Sequence, residues 1–316
     1  MNNITSSLTL DSRTSTFPSG VLVLNKPKGP TSTACLNRIK KRFKPKKIGH
    51  AGTLDPLAQG VLLVLFGQAT KLANYLGQGK KTYAGTLRLG LVTDTYDIEG
   101  KIEAELPWDN IREEDVVQEI LNWKNLQEQE VPPVSAAKYK GKPLYVLKRT
   151  GQKVPLKTKA IKIFEAQVIH IDLPEINFRV TCSQGTYIRS LAHSLGKRLG
   201  CGAVLTELIR EKCHPFGLEQ AFDLEEVLKA EQLEPFILSI PKALSHWPQA
   251  TVSTEAEKLI RHGHALDPEL VPELPQKKDA RALLVNEKGQ ELALVQAKVK
   301  DGRLRWTILR GLWTQN

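Results

Sequence analysis

An isolated carboxylate, Asp55, lies in a polar turn whose backbone is shaped by glycine and proline. The turn, residues 49–60, carries three glycines and Pro56, and it contains no second acidic residue. Glycine and proline favour backbone conformations that other residues adopt with difficulty, so the turn has a defined shape. An aspartate presented in this way can cap a turn or helix, which is its commonest role, or act as a general base or a nucleophile.

The residues around Asp55 argue against several kinds of site. The turn has no second carboxylate, as a glycosidase acid/base pair would require, and no His/Cys cluster that could bind a metal. The four cysteines form no CxxC pair, so we expect reduced thiols in a cytosolic protein. Cys201 with Cys213-His214 matches no familiar zinc spacing. Taken alone, Asp55 is therefore best interpreted as a capping residue.

Two tyrosines and an arginine add a second group of candidates. Tyr83 follows two lysines, and Tyr187 precedes Arg189 by two residues at the predicted start of a helix. A nucleic-acid base could stack on a tyrosine ring, while a carboxylate or phosphate could pair with the guanidinium. Taken one at a time, the two tyrosines are more typical of core aromatics, and Arg189 is more typical of a surface ion pair. His50 alone is more typical of a surface or capping imidazole.

A basic segment leads directly into the turn. The chain has a formal net charge of +11 and a pI near 9.4, which favours a polyanionic partner such as nucleic acid. Seven of the basic residues lie within ten positions: Arg38, Lys40, Lys41, Arg42, Lys44, Lys46 and Lys47. Most such runs are solvated faces, but the position of this one favours phosphate contacts.

The order of predicted elements indicates a mixed α/β (α+β) fold followed by a small β-rich module. We predict a disordered tail at 1–19, a first domain at 20–248 and a second domain at 249–316. No run of 18 apolar residues occurs that could span a membrane. Periodicity predicts strands at 20–25, 61–66, 81–90, 160–171 and 175–182, helices at 34–43, 107–125 and 187–199, a helical or turn segment at 203–210, and hairpins after 282.

Six motifs in this order resemble the TruB family of bacterial tRNA pseudouridine synthases, which act on the T-loop. They are residues 20–32 (GVLVLNKPKGPTS), 47–61 (KIGHAGTLDPLAQGV), 67–71 (GQATK), 81–83 (KTY), 131–136 (VPPVSA) and 182–190 (CSQGTYIRS). The resemblance covers about residues 20–248. Beyond residue 250 the chain is similar only in size and β character to the family's PUA-like RNA-binding domain.

The resemblance implies a pseudouridine synthase fold, a mixed sheet flanked by helices with an active-site cleft, and it implies roles for individual residues. Asp55 would be the catalytic aspartate, kept ionised and oriented by Arg189. Tyr83 would stack on the target base and could serve as a general base. Leu208 would pack beneath the base, and His50 would occupy the place of the flipped nucleotide. The implied catalytic residues are Asp55, Tyr83 and Arg189; the implied substrate-binding residues are His50, Tyr187, Leu208, Lys26 and Lys71.

The implied activity is the conversion of the T-loop uridine at tRNA position 55 to pseudouridine, without a metal or another cofactor. The N1–C1′ bond breaks and a C5–C1′ bond forms. Asp55 could attack C1′, add at C6, or assist glycal formation after Tyr83 removes the C2′ proton. We expect a cytoplasmic monomer that needs no protein partner. Two alternatives remain: a non-catalytic RNA-binding or RNA-chaperone protein, and a superfamily synthase that depends on a guide RNA and partner proteins.

Overall fold

A mixed sheet of ten strands forms the centre of the fold. The computed structural model describes residues 17–135, 137–150, 152, 155 and 157–313. Its strands are β1 (Gly20–Lys26), β2 (Ile48–Ala51), β3 (Ala58–Phe66), β4 (Lys81–Leu89), β5 (Leu91–Thr93), β6 (Ile102–Glu105), β7 (Glu128–Glu130), β8 (Lys138–Tyr139), β9 (Lys142–Pro143), β10 (Thr158–Ala160), β11 (Ile163–Asp172), β12 (Glu175–Cys182), β13 (Ala203–Cys213), β14 (Phe216–Gly217), β15 (Phe222–Asp223), β16 (Leu238–Ser239), β17 (Gln249–Val252), β18 (Arg281–Asn286), β19 (Glu291–Lys300) and β20 (Arg303–Gly311).

Helices flank this sheet and the smaller C-terminal sheet. The α-helices are α1 (Ser32–Phe43), α2 (Ala73–Leu76), α3 (Glu113–Leu121), α4 (Leu144–Arg149), α5 (Ile188–Leu199), α6 (Leu224–Lys229), α7 (Ile240–Ala243) and α8 (Thr254–Arg261). Short 3₁₀ helices span Gly67–Leu72, Asn122–Asn125, Leu218–Gln220, Glu234–Phe236 and Pro268–Leu270. None of the helices in these ranges is long and apolar enough to cross a membrane.

The main sheet has the order β11-β12-β4-β13-β3-β1-β15, with β2, β14 and β16 paired at its margins. Two of the pairings along this path, β13 with β3 and β1 with β15, are parallel, and the others are antiparallel. This confirms the predicted mixed sheet with flanking helices. It also places β3, β13 and β4 side by side at the centre, although they are far apart in sequence.

Strands β1 and β3 contain continuous apolar runs, residues 21–24 and 61–66, because both faces of the sheet are covered. In β1, Leu22 and Leu24 belong to one core cluster, whereas Val21 and Val23 belong to another on the opposite face. The residues of β3 divide between the same two clusters in the same alternating way. A strand that is buried on both faces reads as a continuous hydrophobic run, which explains why the sequence identified these two strands.

The segment Ala203–Arg210, predicted as helical or a turn, is instead part of the central strand β13. It pairs antiparallel with β4 and parallel with β3, and these pairings run from Ala203 to Cys213. The local sequence shows neither a strict alternation of apolar and polar residues nor a turn residue. Its apolar residues pack on both faces of the sheet, and two register shifts interrupt its pairing with β4. Tertiary pairing therefore decides the conformation.

Two other predictions were partly wrong. The helix expected at 107–125 begins only at Glu113, and Leu121, expected on its buried face, is 40% exposed. Of the expected tail, residues 1–16 lie outside the described residues. Residues 17–19 pack against the sheet: the ring centroids of Phe17 and Phe66 are 5.5 Å apart, and the Ser19 hydroxyl accepts a hydrogen bond from the Gln68 amide.

The C-terminal strands β17-β18-β19-β20 form a separate four-stranded sheet, as the predicted hairpins require. Strand β17 begins one residue beyond the predicted boundary at 248. Leu283 and Leu294 of this sheet share a core cluster with the back face of the main sheet, and Arg281 hydrogen bonds to Gln78. The two sheets are thus packed together, and their assignment to two domains stays a prediction.

Gly60 offers a test of the central pairing. It has φ +101°, and a Cβ atom there would collide with the carbonyl oxygen of Arg210 on β13. Gly29 has a similar φ of +106° with no atom within 4 Å of its Cβ position. We expect Gly29→Ala to lower the free energy of unfolding by about 1–3 kcal/mol through backbone strain alone. Gly60→Ala should lower it further in urea unfolding, and equal effects would contradict this account of the β3–β13 contact.

Candidate active site

A cavity of about 230 Å³ opens beside Asp55 at the centre of the main sheet. Its lining residues come from the Asp55 turn, the three central strands and the segment that precedes α5: Gly52, Thr53, Leu54, Asp55, Ala58, Lys81, Tyr83, Ser135, Gln184, Gly185, Thr186, Tyr187, Ile188, Leu208 and Arg210. The Asp55 side chain is 42% exposed and therefore accessible to a ligand. Four of the eight predicted site residues therefore line one cavity, and a fifth, Arg189, contacts Asp55.

The floor of the cavity consists of residues that share one face of adjacent strands. Lys81 and Tyr83 alternate on β4, and Leu208 and Arg210 alternate on β13. Arg210 lies opposite Tyr83 in the register. Alternate residues of a strand point to the same side of the sheet, so all four side chains lie on the face that borders the cavity. The strand that the sequence did not predict therefore supplies two of the four floor residues.

The Asp55 turn is held in place by the segment between β1 and α1. The Ser32 hydroxyl accepts from the Leu54 amide at 2.9 Å and donates to the Leu54 carbonyl at 3.0 Å. The Gly29 amide donates to the Pro56 carbonyl at 2.9 Å. The fully buried Lys26 ammonium donates to the carbonyl of Ala58 at 2.7 Å. Lys26, predicted to bind substrate, is therefore placed beneath the turn.

Arg189 joins Asp55 to a second carboxylate. Its Nε lies 2.9 Å from Asp55 Oδ2, in a close ion pair in which the N–H is not aligned as a hydrogen bond. Its Nη1 lies 3.4 Å from Asp97 Oδ2 and donates to the Thr95 carbonyl at 2.8 Å, while Nη2 donates to the Val134 carbonyl at 3.2 Å. The arginine side chain is only 6% exposed, so these partners fix its orientation.

Asp97 is a site residue that the sequence did not single out. It lies in the polar turn after β5 and is 5% exposed. Burial raises the pKa of Asp97 above its ordinary value, whereas the hydrogen bond from Thr95 and the charge of Arg189 act in the opposite direction. The only available signal was a short acidic turn, Asp94 to Asp97, about 40 residues from the Asp55 loop.

The two tyrosines are placed differently. Burial raises the pKa of Tyr83 to about 12, so its phenol keeps its proton near neutral pH, although the positive charge of nearby Arg210 acts in the opposite direction. A resting Tyr83 phenolate is therefore not available as a base near neutral pH. Tyr187 caps the N-terminus of α5, and both its backbone amide and its carbonyl are bonded by the side-chain amide of Gln129. Gln129 thus fixes the segment that presents Arg189.

Comparison with known proteins identifies this arrangement. Residues 40–188 match the family described as TruB family pseudouridylate synthase (N terminal domain). The chain is 51% identical to tRNA pseudouridine synthase B of Nitratidesulfovibrio vulgaris strain Miyazaki F, over 94% of this chain and 97% of that protein. It is 39% identical to tRNA pseudouridine synthase B of Thermotoga maritima, over 88% and 90% of the two chains.

The chain belongs to the TruB family. It is therefore a pseudouridine synthase, an isomerase. The fold agrees: a chain of a Cbf5-Nop10-Gar1 complex superposes with a TM-score of 0.69 at 24% identity, covering 93% of this chain and 85% of that one. An H/ACA RNP bound to a substrate RNA containing 2′-deoxyuridine gives a TM-score of 0.67 at 24% identity, with the same coverages.

Besides Arg189, which contacts Asp55, three residues predicted from the TruB resemblance do not line the cavity. Lys26 supports the turn from below. His50 lies on β2 and is partly buried; burial lowers the pKa of its imidazole, and Nδ1 has no hydrogen-bond partner among the described residues. The Lys71 ammonium donates to the Gly311 carbonyl of the C-terminal sheet at 2.8 Å. Lys71 thus links the two sheets.

The remaining candidates can be placed as well. All four cysteines are buried and free, and the described part of the chain contains no group of three or more His, Cys, Asp or Glu residues arranged to hold a metal ion. A larger cleft of about 740 Å³ lies next to Lys46, Lys47 and Trp313, and it contains none of the predicted catalytic residues. The 230 Å³ cavity is therefore the candidate active site.

Asp97→Asn tests the second carboxylate. The variant removes one charge that orients Arg189, so we expect the rate of the bound complex to fall about 10- to 100-fold with RNA affinity unchanged, as for a hydrogen bond to a charged group. Asp94→Asn is the matched control, because Asp94 lies in the same turn and does not contact Arg189. Single-turnover kinetics would distinguish the two variants.

Asp97 should also make the reaction rate depend on pH. Because burial raises the pKa of Asp97, acidification neutralises it before an ordinary aspartate, and the wild-type rate should decline toward low pH as Arg189 loses this partner. The Asp97→Asn variant should lack that part of the decline. Identical pH profiles for the two proteins would contradict the positioning role.

Proposed function

We propose that this protein converts the T-loop uridine at tRNA position 55 to pseudouridine, with Asp55 as the nucleophile. The observation that carries the proposal is the exposed Asp55 carboxylate, ion-paired to the buried Arg189 at the mouth of a cavity floored by Tyr83 and Leu208. Relatives that match nearly the full length of the chain carry the name tRNA pseudouridine synthase B, which supports tRNA as the substrate.

The cavity suits a flipped nucleotide. A uridine within an RNA fold must leave its stack to reach Asp55, which costs a few kcal/mol that stacking on an aromatic ring can offset. Tyr83 supplies that ring and Leu208 an apolar contact, and Tyr187 also lines the cavity. The exposed carboxylate of Asp55 lines the same cavity, within reach of the ribose of a nucleotide bound there.

Arg189 keeps the carboxylate aimed at that ribose. An arginine held by backbone carbonyls and a second carboxylate cannot follow Asp55 if the turn moves, so the ion pair fixes the turn to the body of the protein. Because the nucleophile is charged and already oriented, no reorganisation is needed when substrate binds.

The basic segment is the proposed phosphate contact. Lys40, Lys41, Lys44, Lys46 and Lys47 are all at least partly exposed. Arg42 instead donates to the carbonyls of Leu228 and Ala230 at the C-terminal end of α6, so it is partly structural. The α1 C-terminus and the following loop therefore present lysines beside the strand that leads into the Asp55 turn.

The C-terminal sheet is the proposed PUA-like RNA-binding domain, and the protein is proposed to act as a cytoplasmic monomer.

A bare T-arm stem-loop tests the proposed reaction. The purified chain should release tritium from a stem-loop that contains 5-tritiated uridine at the target position, without a guide RNA or a partner protein. Asp55→Asn and Asp55→Ala should bind the RNA with unchanged affinity and release no tritium, because the nucleophile is lost.

Full turnover by either variant would exclude Asp55 as the nucleophile. A wild-type chain that requires a guide RNA would favour the guided-synthase alternative, and one that binds tRNA without releasing tritium would favour the RNA-chaperone alternative.

Charge reversal in the basic segment tests the phosphate contact. Replacing Lys40, Lys41 and Lys44 by Glu should weaken tRNA binding and flatten the dependence of log K on log salt, by a slope of roughly 0.9 for each phosphate that is no longer neutralised. Lys101, Lys124 and Lys242, which lie elsewhere on the protein surface, provide a control triple charge reversal with the same net charge. Equal affinities for the two triple variants would mean that the segment is only a solvated face.

A further inference from the structure

Two buried cations, Lys81 and Arg210, line the candidate active site next to Tyr83. Lys81 is 3% exposed and Arg210 is 1% exposed. They lie on the cavity-facing sides of the neighbouring strands β4 and β13. Neither residue belongs to the Asp55–Arg189–Asp97 network described above.

Neither cation has a carboxylate partner among the residues between 17 and 313 that the structure describes. The Lys81 ammonium donates to the carbonyls of Gly77 and Gly79, at 2.7 and 3.2 Å. Arg210 donates from Nε to the Val61 carbonyl and from Nη2 to the Gly52 carbonyl, at 2.7 and 2.8 Å. A lysine has three N–H groups and an arginine five, so both retain donors beyond these bonds.

Burying two cations without a counterion lowers the stability of the folded protein, so their presence calls for an explanation. A buried charge without a counterion is costly, because backbone carbonyls replace only part of the lost hydration. Burial accordingly lowers the pKa of Lys81, and the positive charge of Arg210 acts in the same direction. Two cations retained side by side therefore indicate an anion that is present during only part of the reaction cycle.

The charge balance of the cavity agrees with this view. The charged residues in its lining are Asp55, Lys81 and Arg210. Together with Arg189 and Asp97, which are ion-paired next to Asp55, they leave an excess of one positive charge. An uncharged uracil base entering the cavity would leave the positive excess unchanged. A negatively charged base would be balanced by it.

The proposed reaction generates such a base. When the N1–C1′ bond breaks heterolytically, its electron pair stays on N1 and the uracil carries one negative charge, delocalised over N1, O2 and O4. A carboxylate oxygen of Asp55 takes the bond to C1′. After the base rotates, C5 attacks C1′, the electron pair of the Asp55–C1′ bond returns to the carboxylate, the C5 proton is lost and N1 gains a proton.

We propose that Lys81 and Arg210 stabilise the detached uracil anion while it rotates in the cavity. The proposal rests on the proposed pseudouridine synthesis and adds a role for two residues besides the aspartate, tyrosine and arginine already placed at the site. It applies to the two routes that release the base as an anion, C1′ attack and glycal formation. It does not apply to addition at C6, in which the base is not released as an anion before it is reoriented.

Lys81→Met tests the proposal because it removes the charge with little change in volume. Replacing a buried charge by an apolar side chain is often tolerated, and the variant also removes the donor to the Gly77 and Gly79 carbonyls. Lys80→Met is the matched control, since Lys80 is exposed and absent from the cavity lining. The single-turnover rate of Lys81→Met on saturating T-arm RNA should fall on the order of 10²-fold, with RNA affinity unchanged.

A second substrate separates anion stabilisation from a structural defect. Fluorine at C5 withdraws electrons and stabilises the uracil anion without help from the protein. The loss of starting nucleoside from RNA containing 5-fluorouridine, measured after nuclease digestion, should therefore be slowed less by Lys81→Met than the reaction of uridine. If both substrates are slowed equally, or if only RNA affinity falls as for a phosphate-binding lysine, the proposal is wrong.

The same measurements distinguish a failure of the proposed function from a failure of the proposed role of Lys81. A wild-type chain that makes no pseudouridine contradicts the proposed function, whereas an active wild type with equal defects on the two substrates contradicts only the role of Lys81. If thermal melting reveals that Lys81→Met is unfolded, Lys81→Gln carries the same comparison, because it removes the charge and keeps a donor for the Gly77 carbonyl.

Discussion

The buried guanidinium of Arg189 is the interaction on which the candidate active site depends. It contacts Asp55 from the turn before β3, Asp97 from the turn after β5, and the Val134 carbonyl from the segment before α4. Because a buried arginine must satisfy its charge and its N–H groups, these three segments are held at fixed distances from the start of α5. The catalytic geometry is therefore a consequence of satisfying one buried cation.

The sheet supplies the second constraint. Residues from β4 and β13 that share one face form the floor, and the close approach of β13 to β3 is possible only because Gly60 has no side chain. The turn that carries Asp55 is bonded to Lys26, the last residue of β1, and to Ser32, the first residue of α1. Rigid strands thus set the depth of the cavity, and a tethered turn sets the position of its carboxylate.

The sequence predicted the elements whose signals are local. Buried strands such as β1 and β3 read as apolar runs, helix α5 as a periodic face ended by Gly200, and the hairpin after Arg281 as two apolar runs around a turn. The family motifs indicated Asp55, Tyr83 and Arg189 through their order and spacing. These predictions needed no knowledge of distant contacts.

What could not be predicted from the sequence concerns residues whose conformation or contacts depend on distant partners. β13 has no distinctive local pattern because its neighbours are β3 and β4, and missing it meant that Arg210 was not recognised. Asp97 was read only as part of a polar turn, since its partner Arg189 lies about 90 positions away in the chain. Lys26 and Lys71 lie in motif segments, but their hydrogen bonds to backbone carbonyls became apparent only in three dimensions.

The parallel pairing of β3 with β13 also has a consequence for how the protein acquires activity during synthesis. Ala58 pairs with Leu208, so the contact closes a loop of about 150 residues. Closing long loops is slow, because much chain entropy is lost before the contact contributes stability. The Asp55 turn can form early on a growing chain, yet the floor beneath it is absent until β13 has left the ribosome. The candidate active site is therefore complete only once about two thirds of the chain is available to fold.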